Sequence, residues 1–292
     1  MMKILVLGGT RFFGIPMVEE LLRNGNDVTI ATRGLSKDSF GERVHRMIIN
    51  RNDPQSLKEA LGGQFFDVVY DKIAYCSNDI KYLLDILKCG RYIYMSTAAV
   101  YEQKHLGLLE NEFDASTAEY KMCNREDYSY DVVKRYAEAI LFRKYSGINA
   151  LAVRYPVVLG ETDYTNRLKF YVENTLNGMP MHIDNPDVQM CFIFADEAGK
   201  FLAHLADKNI LGTVNGCNKG TVSIKEILDY IYVKTGKKAI IADNGEPAPY
   251  NGESEYSLNT DKAKSVGYEF SEINDRIYKL IDYYIDKITI GR

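Results

Sequence analysis

Tyr130 and Lys134 stand four residues apart in Tyr130-Asp-Val-Val-Lys134, a spacing that sets a phenol and an ammonium on one face of a helix. A neighbouring positive charge favours a phenolate, so the pair reads as an acid/base in which Lys134 lowers the proton affinity of Tyr130 and the phenol moves a proton near neutral pH. The same pattern recurs at Tyr230/Lys234 and Tyr283/Lys287, so spacing alone does not single out the first copy. Its setting does, because it follows the run Ser96-Thr97-Ala98-Ala99-Val100-Tyr101, where an apolar strand ends on two hydroxyls. A hydroxyl leaving the carboxyl end of a sheet strand lies where such sheets take their ligands. Thr97 is therefore expected to hold a substrate oxygen that Tyr130 protonates or deprotonates.

A second constellation opens the chain. Lys3-Ile4-Leu5-Val6-Leu7 runs into Gly8-Gly9-Thr10-Arg11-Phe12-Phe13-Gly14 and then into a helical pattern. Glycine lets a backbone approach phosphate oxygens closely, and the unpaired N–H groups that open the next helix supply donors and positive potential. The pyrophosphate of a dinucleotide is expected between Thr10 and Gly14.

The elements that must position these groups follow from periodicity. Ile15, Val18, Leu21 and Leu22 share a helical face, with Pro16 tolerated in the first turn and Gly25 as a stop. Strands are expected at Asp27 to Thr32, Phe66 to Asp71, Arg91 to Ser96 and Ala150 to Val158, and a short helix at Pro54 to Leu61. A helix carrying Ile80, Leu83, Leu84 and Leu87 is expected to stop at Gly90, and a long one to span Ser129 to Tyr145. Such alternation implies an α/β fold, a Rossmann-type doubly wound parallel sheet covered on both faces. After Gly160 the pattern loosens, with Asn, Gly, Pro and Asp scattered through Asn177 to Asp187. A strand at Cys191 to Phe194, a helix near Asp196, a capping box at Ser223-Ile-Lys-Glu226, a loop at Asn244 to Gly252 and a helix at Ile273 to Ile288 follow. The division expected is a dinucleotide-binding domain over 1–160, to which a segment near 196–216 returns, and a smaller C-terminal α/β substrate lobe over 161–292.

Composition narrows the classes. The 292 residues carry 36 Lys and Arg against 40 Asp and Glu, for a formal net charge of −4, with no long basic run to follow a phosphate backbone, so nucleic acid is not the default partner. No run of about 18 uncharged apolar residues occurs, so no membrane span is expected, and the short opening apolar run is no signal-peptide core. Cys76, Cys89, Cys123, Cys191 and Cys217 form no C-x-x-C pair, and His45, His105, His182 and His204 no metal-binding spacing. Reduced thiols, no metal and a cytoplasmic location are expected.

Taken jointly, GGTRFFG at Gly8 to Gly14, Ser96-Thr-Ala-Ala-Val-Tyr101, Tyr130 to Lys134, Arg154-Tyr-Pro-Val-Val-Leu-Gly160 and Asp261-Lys-Ala-Lys-Ser-Val-Gly-Tyr268 resemble the extended short-chain dehydrogenase/reductases, the NAD-dependent epimerase/dehydratase family. The resemblance covers nearly the whole chain. It implies that Tyr130 is the acid/base, that Lys134 orients the nicotinamide ribose and that Thr97 is the hydroxyl partner. The cofactor contacts expected on this basis are Gly8, Thr10, Arg11, Phe12, Phe13, Gly14, Arg33, Asn50, Ile73, Ala74, Tyr130, Lys134 and Tyr155. The resemblance also implies a homodimer formed through helices around Asp79 to Lys88 and Ser129 to Tyr145.

The departures shape the choice of cofactor and substrate. Arg11 replaces the middle glycine of the turn, and the strand ending Ile30-Ala31-Thr32-Arg33 lacks the carboxylate that would accept the adenosine ribose hydroxyls. Arg33, with Arg11, suits a 2'-phosphate, which favours NADP, with NAD as the alternative. Asn50 stands where the family often has an adenine-contacting aspartate. Val157 replaces an Asn, and Met190-Cys191 an Arg-Asp pair, that nucleotide-sugar epimerases carry, so the small-molecule substrate is expected to be a sugar derivative rather than necessarily a UDP-sugar. Ala98 and Ala99 leave no acidic residue beside Thr97, which disfavours dehydration. GGTRFFG, Asp67-Val-Val-Tyr-Asp71 and Arg91-Tyr-Ile-Tyr94 are also similar to the chloroplast stem-loop-binding branch, which includes RNA-binding members. A non-catalytic dinucleotide-sensing or RNA-binding protein is the rival expectation.

Overall fold

The computed structural model describes residues 1–290. Its first half builds a sheet by alternation: β1 (Lys3–Leu7), α1 (Gly14–Arg23), β2 (Asp27–Thr32), β3 (His45–Ile48), α2 (Pro54–Leu61), β4 (Phe65–Asp71), α3 (Ser77–Leu84), β5 (Lys88–Met95), α4 (Tyr130–Arg143) and β6 (Ala150–Arg154). Two-residue alternation assigns the side chains of β1 to opposite layers. Ile4 and Val6 pack into a core with Met17, Val18 and Leu21 of α1, whereas Leu5 and Leu7 pack into another with Leu57, Ile80, Leu83, Ile140 and Leu141. Burial on both faces explains why these strands read as unbroken apolar runs.

The chain continues through β7 (Val157–Leu159), α5 (Arg167–Asn177), β8 (Pro180–His182), β9 (Phe192–Phe194), α6 (Ala195–His204) and β10 (Gly212–Asn215), and then α7 (Ile224–Thr235), β11 (Ile240–Ile241), β12 (Glu246–Pro247), α8 (Asp261–Ser265) and α9 (Asn274–Ile290). The main sheet has the order β10-β6-β5-β4-β1-β2-β3 and is parallel throughout. β10 is thus added beside β6, with Leu151 opposite Gly212. α6 lies against α1, and Gly199 permits this closeness: a Cβ there would stand 2.6 Å from the Met17 nitrogen and 2.8 Å from the Phe13 oxygen. A third core gathers α5, α7 and α9 around Tyr171, Ile227, Ile231, Ile277 and Ile281.

Several boundaries differ from expectation. Gly90 is not a helix stop; α3 ends at Leu84, and Gly90 sits inside β5, where a Cβ would meet the Asp67 oxygen at 2.8 Å. Ala150 to Val158 is not one strand. Pro156 offers no N–H to a ladder, and after it β7 leaves the main sheet to pair with β9. α5 and the short strands β8, β11 and β12 occupy stretches that read as loosened or loop. The apolar stripes of α3 and α4, the helices through which the resemblance implies a homodimer, face the core of the chain itself. Among the described residues no helix is long and apolar enough to cross a membrane.

One buried ion pair ties the layers together. Arg154 on β6 donates to Glu138 on α4 at 2.6 and 3.1 Å, both side chains being fully buried. The remaining donors of Arg154 reach the Tyr101 hydroxyl at 3.0 Å and the carbonyls of Glu110 and Phe113, each at 2.8 Å. Removing one partner strands a buried charge. Glu138→Ala is expected to lower the unfolding free energy by about 3–5 kcal/mol, read as a fall in the urea midpoint at unchanged slope; a loss below about 1 kcal/mol would show that Arg154 finds other compensation.

Candidate functional site

The carboxyl ends of β1, β2, β4 and β5 open onto a cleft of about 790 Å³. It lies where the chain winds in opposite directions from β1, outward through β2 and β3 and outward through β4 and β5, the switch point at which such sheets bind ligands. At one end is the glycine turn. Gly8 and Gly9 have φ of 94° and 97°, which a side chain rarely tolerates, and a Cβ on Gly14 would stand 2.8 Å from the Gly9 Cα. Phe12 is itself left-handed, at φ 52°. Thr10, Arg11, Phe12 and Phe13 line the cleft, and the amides of Gly14 and Ile15 are turned back to the carbonyls of Arg11 and Phe12. Pro16 has no N–H, so the first turn of α1 keeps no free amide, contrary to expectation; the amides of Thr10, Arg11, Phe12 and Phe13, which have no acceptor among the described residues, are the donors beside the cavity, and they fit a pyrophosphate.

At the other end stand Ser96, Thr97, Tyr130 and Lys134. β5 delivers the two hydroxyls at its carboxyl end, and Thr97 caps the following turn by accepting from the Ala99 amide at 3.2 Å. α4 begins at Tyr130 and carries Lys134 one turn on. The Lys134 ammonium, 3% exposed as a residue, donates to the carbonyls of Ala74 at 2.9 Å and Met95 at 2.8 Å. An ammonium has three donors, so one remains for a ligand. Burial pulls the pKa of Lys134 down to about 8, partly offset by the carboxylates of Asp71, Glu138 and Asp79.

The expected electrostatic pairing of Lys134 with Tyr130 is not what this geometry gives. Tyr130 is 49% exposed as a residue; partial desolvation is the main influence raising the phenol pKa, and the influences drawing it back down come from the Thr97 hydroxyl, Arg167 and Arg125. Lys134 is turned instead to the two strand-end carbonyls. Tyr75 intervenes, its ring 5.1 Å from the Lys134 nitrogen and 6.1 Å, edge-on, from the Tyr130 ring.

Most of the other expected contacts meet at the cleft. Gly8, Arg33, Asn50, Ile73 and Tyr155 line it with the residues above. Tyr155 is fixed by a hydrogen bond from its hydroxyl to the Ala198 carbonyl at 2.7 Å. The Asn50 amide oxygen accepts from the Asn52 N–H at 3.2 Å, which leaves the amide nitrogen as its group to offer. Gly14 and Ala74 do not line the cleft. Gly14 closes α1 against Gly9, and Ala74 lies beneath the surface with its carbonyl holding Lys134.

Among the cleft residues that sequence reasoning did not single out are Arg51, Lys72, Tyr75 and Arg125. Arg51 is 6% exposed and pairs with Asp71 at 2.5 Å and with the Asp79 carbonyl at 3.0 Å, yet its Nε and Nη1 have no hydrogen-bond partner. The Ser96 hydroxyl is likewise buried without a partner, an orphan that a ligand would satisfy. Arg125 stacks on Tyr75 at 3.8 Å. A cation directly after the acid that ends β4 is the one signal sequence could have offered, at Lys72. In all, Arg11, Arg33, Arg51, Lys72, Arg125 and Lys134 face Asp79 and Glu126 across this cavity, a basic cleft in a chain of net charge −4.

A parallel sheet with this switch point and glycine turn defines a Rossmann dinucleotide-binding protein. The model of the NAD dependent epimerase/dehydratase family matches residues 4–215, and the chain belongs to that family. A curated relative, the chloroplast stem-loop binding protein of 41 kDa b from Arabidopsis thaliana, is 28% identical over 202 residues, covering 64% of this chain and 50% of the relative. The chain thus spans about half the length of the curated relative it matches. Among solved structures, a UDP-glucuronic acid 4-epimerase from Bacillus cereus, in complex with UDP-glucuronic acid and NAD, superposes with a TM-score of 0.74 at 18% identity, covering 100% of both chains. The epimerase Mth375 from Methanothermobacter thermautotrophicus gives a TM-score of 0.72 at 14% identity, covering 99% of this chain and 94% of that one. At these identities the likeness is one of fold.

The buried lysine makes a test of its environment. A free lysine keeps its proton to about 10.5, whereas folded Lys134 releases it near 8. Between those values the unfolded chain holds more protons, so the Lys134 contribution to stability rises with pH from about 8 to about 10.5 and is flat below. Relative to Lys134→Met, wild type should gain up to ~3 kcal/mol across that window in paired denaturant titrations; parallel profiles for the two proteins would mean that Lys134 is solvated like a free side chain.

Proposed function

We propose that this chain is an enzyme of the epimerase type, dependent on a nicotinamide dinucleotide, that works on a carbinol or carbonyl carbon of a sugar or sugar-nucleotide-like substrate. The observation that carries the reading is that Thr97, Tyr130 and Lys134 share one cleft with the glycine turn. Residues 161–292, apart from α6 and β10, are assigned to holding the substrate, and 1–160 to holding the cofactor. The five cysteines, all free, accord with a cytoplasmic setting.

When bound, the nicotinamide supplies a carbon that accepts and returns hydride. The remaining work falls to the chain. Thr97 holds the substrate oxygen. Tyr130 takes the hydroxyl proton as a carbinol becomes a carbonyl and gives it back in the reverse direction. Its raised pKa favours the reducing direction, in which the phenol donates to a carbonyl; in the oxidising direction Thr97, Arg167 and Arg125, which draw the pKa back down, favour the phenolate that accepts the hydroxyl proton. Lys134, with two donors fixed on Ala74 and Met95, has its third available for ribose hydroxyls. Ala98 and Ala99 provide no carboxylate beside Thr97, so epimerisation or reduction is favoured over dehydration.

NADP is the proposed cofactor. Arg33 follows β2 on the cleft wall with no ion-pair partner among the described residues, and Arg11, stacked 4.9 Å over the Tyr164 ring, also lacks one. Unpaired guanidinium groups suit a 2'-phosphate. Met190 and Cys191, which replace the polar pair of nucleotide-sugar epimerases, are buried in the core with α5 and α7, which supports a sugar derivative lacking that diphosphate contact.

Tyr130→Phe should lower turnover on sugar or carbonyl substrates by about 10²-fold or more, while NADPH binding, followed by nicotinamide fluorescence, stays within about twofold. Turnover equal to wild type would remove Tyr130 from the chemistry, and wild-type binding without turnover on any sugar or carbonyl would favour the dinucleotide-sensing or RNA-binding alternative. Arg33→Ala should weaken NADPH roughly tenfold and leave NADH little changed; equal effects on both would point to NAD.

A further inference from the structure

Lys72 extends from the end of β4 to the floor of the glycine turn. Its nitrogen lies 3.9 Å from the centroid of the Phe13 ring, and a Cβ on Gly14 would stand 2.8 Å from it, so the ammonium is wedged beneath the first turn of α1. Among the described residues it has neither a hydrogen-bond acceptor nor an ion-pair partner. The carboxylates nearby are committed: Asp71 binds Arg51 and the Tyr92 hydroxyl, and Asp79 accepts from the amides of Tyr75 and Cys76. The first turn of α1 carries no acidic residue. The charged and titratable groups sharing this cavity from the glycine turn, β6 and α4 are Arg11, Tyr155, Tyr130 and Lys134, none of them negative at neutral pH, and Glu126 makes no ion pair with Lys72.

A helix start already carries positive potential, and an unpaired cation beneath it adds to the same field. Both features ask for one anion in one place. We propose that Lys72 is a ligand for the pyrophosphate of the dinucleotide and that this chain links binding of that anion to protonation of the Lys72 amine. The inference rests on reading the cleft as a dinucleotide site. Burial pulls the Lys72 pKa down from 10.5 to about 7, so without an anion the amine is mostly neutral at pH 8. A pyrophosphate beside it favours the charged form, and the amine then takes a proton from solvent. Affinity for the dinucleotide consequently falls as pH rises above about 7, approaching tenfold per unit.

Titration calorimetry of the whole chain with NADPH at pH 8, in two buffers of different ionisation enthalpy, reads the protons exchanged. Wild type should take up close to one proton per dinucleotide more than Lys72→Met does, any remaining uptake belonging to Lys134, which also titrates near pH 8. Lys72→Met should also weaken binding roughly tenfold or more. Lys72→Arg, which keeps the charge but does not titrate, should lose the same uptake and bind at least as tightly as wild type; it also serves if Lys72→Met does not fold. Uptake in either variant as large as in wild type, or wild-type binding with no uptake, overturns the proposal and leaves the cleft assignment standing. Failure of wild type to bind any nicotinamide dinucleotide overturns both.

Discussion

The Lys134 ammonium, clamped between the carbonyls of Ala74 and Met95, is the contact on which the site is built. Those carbonyls belong to the segment leaving β4 and to the last residue of β5, and the lysine belongs to α4, so one side chain fixes the ends of two strands against a helix. Desolvating an ammonium is costly, and two carbonyl hydrogen bonds with carboxylates further off are what make it tolerable. Because Tyr130 lies one turn earlier on the same helix, the clamp also sets where the phenol stands relative to Thr97. Lys134 thus bears on Tyr130 through placement more than through charge, and the phenol pKa is raised where its spacing from a lysine suggests that it falls.

A second anchor holds α4 one turn beyond Lys134, at Glu138. Arg154 joins β6 to Glu138 and gathers the carbonyls of Glu110 and Phe113, while Tyr101 relays the network to Asn215 on β10 at 2.7 Å. The long connection from β5 to α4, short of regular structure, is thereby tied at several points to the sheet. Its far part carries Arg125 over Tyr75, at the edge of the cleft. Two polar clamps, both nearly dry, thus frame a cavity whose own walls carry unpaired cations.

Much of this was legible in residues and spacing. The β1 run, the glycine turn and α1 follow from local chemistry alone, and Thr97, Tyr130 and Lys134 could be linked because strand ends and helix faces are regular. What failed did so for physical reasons. Gly90 reads as a stop because glycine ends helices, but here it answers the close approach of the Asp67 carbonyl from a neighbouring strand, a tertiary fact. α5 starts after a left-handed Asn166 with no capping side chain, so nothing local announced it. The direction of the Tyr130 shift could not be read because burial and hydrogen-bond geometry, not spacing, decide it. Lys72 and Arg51 were passed over because their surroundings come from elements distant in sequence.

The position of β10 has a consequence for how the chain is made. The main sheet has β10 at its edge, beside β6, although the strands β7, β8 and β9 and two helices intervene in sequence. During synthesis β6 leaves the ribosome with its outer edge open and must wait until Asn215 has emerged before its ladder is filled. An unpaired edge of buried, apolar residues is a template for other chains. The nascent protein is thus most exposed to misassembly in the interval between those two strands, and a chaperone that helps it would act there.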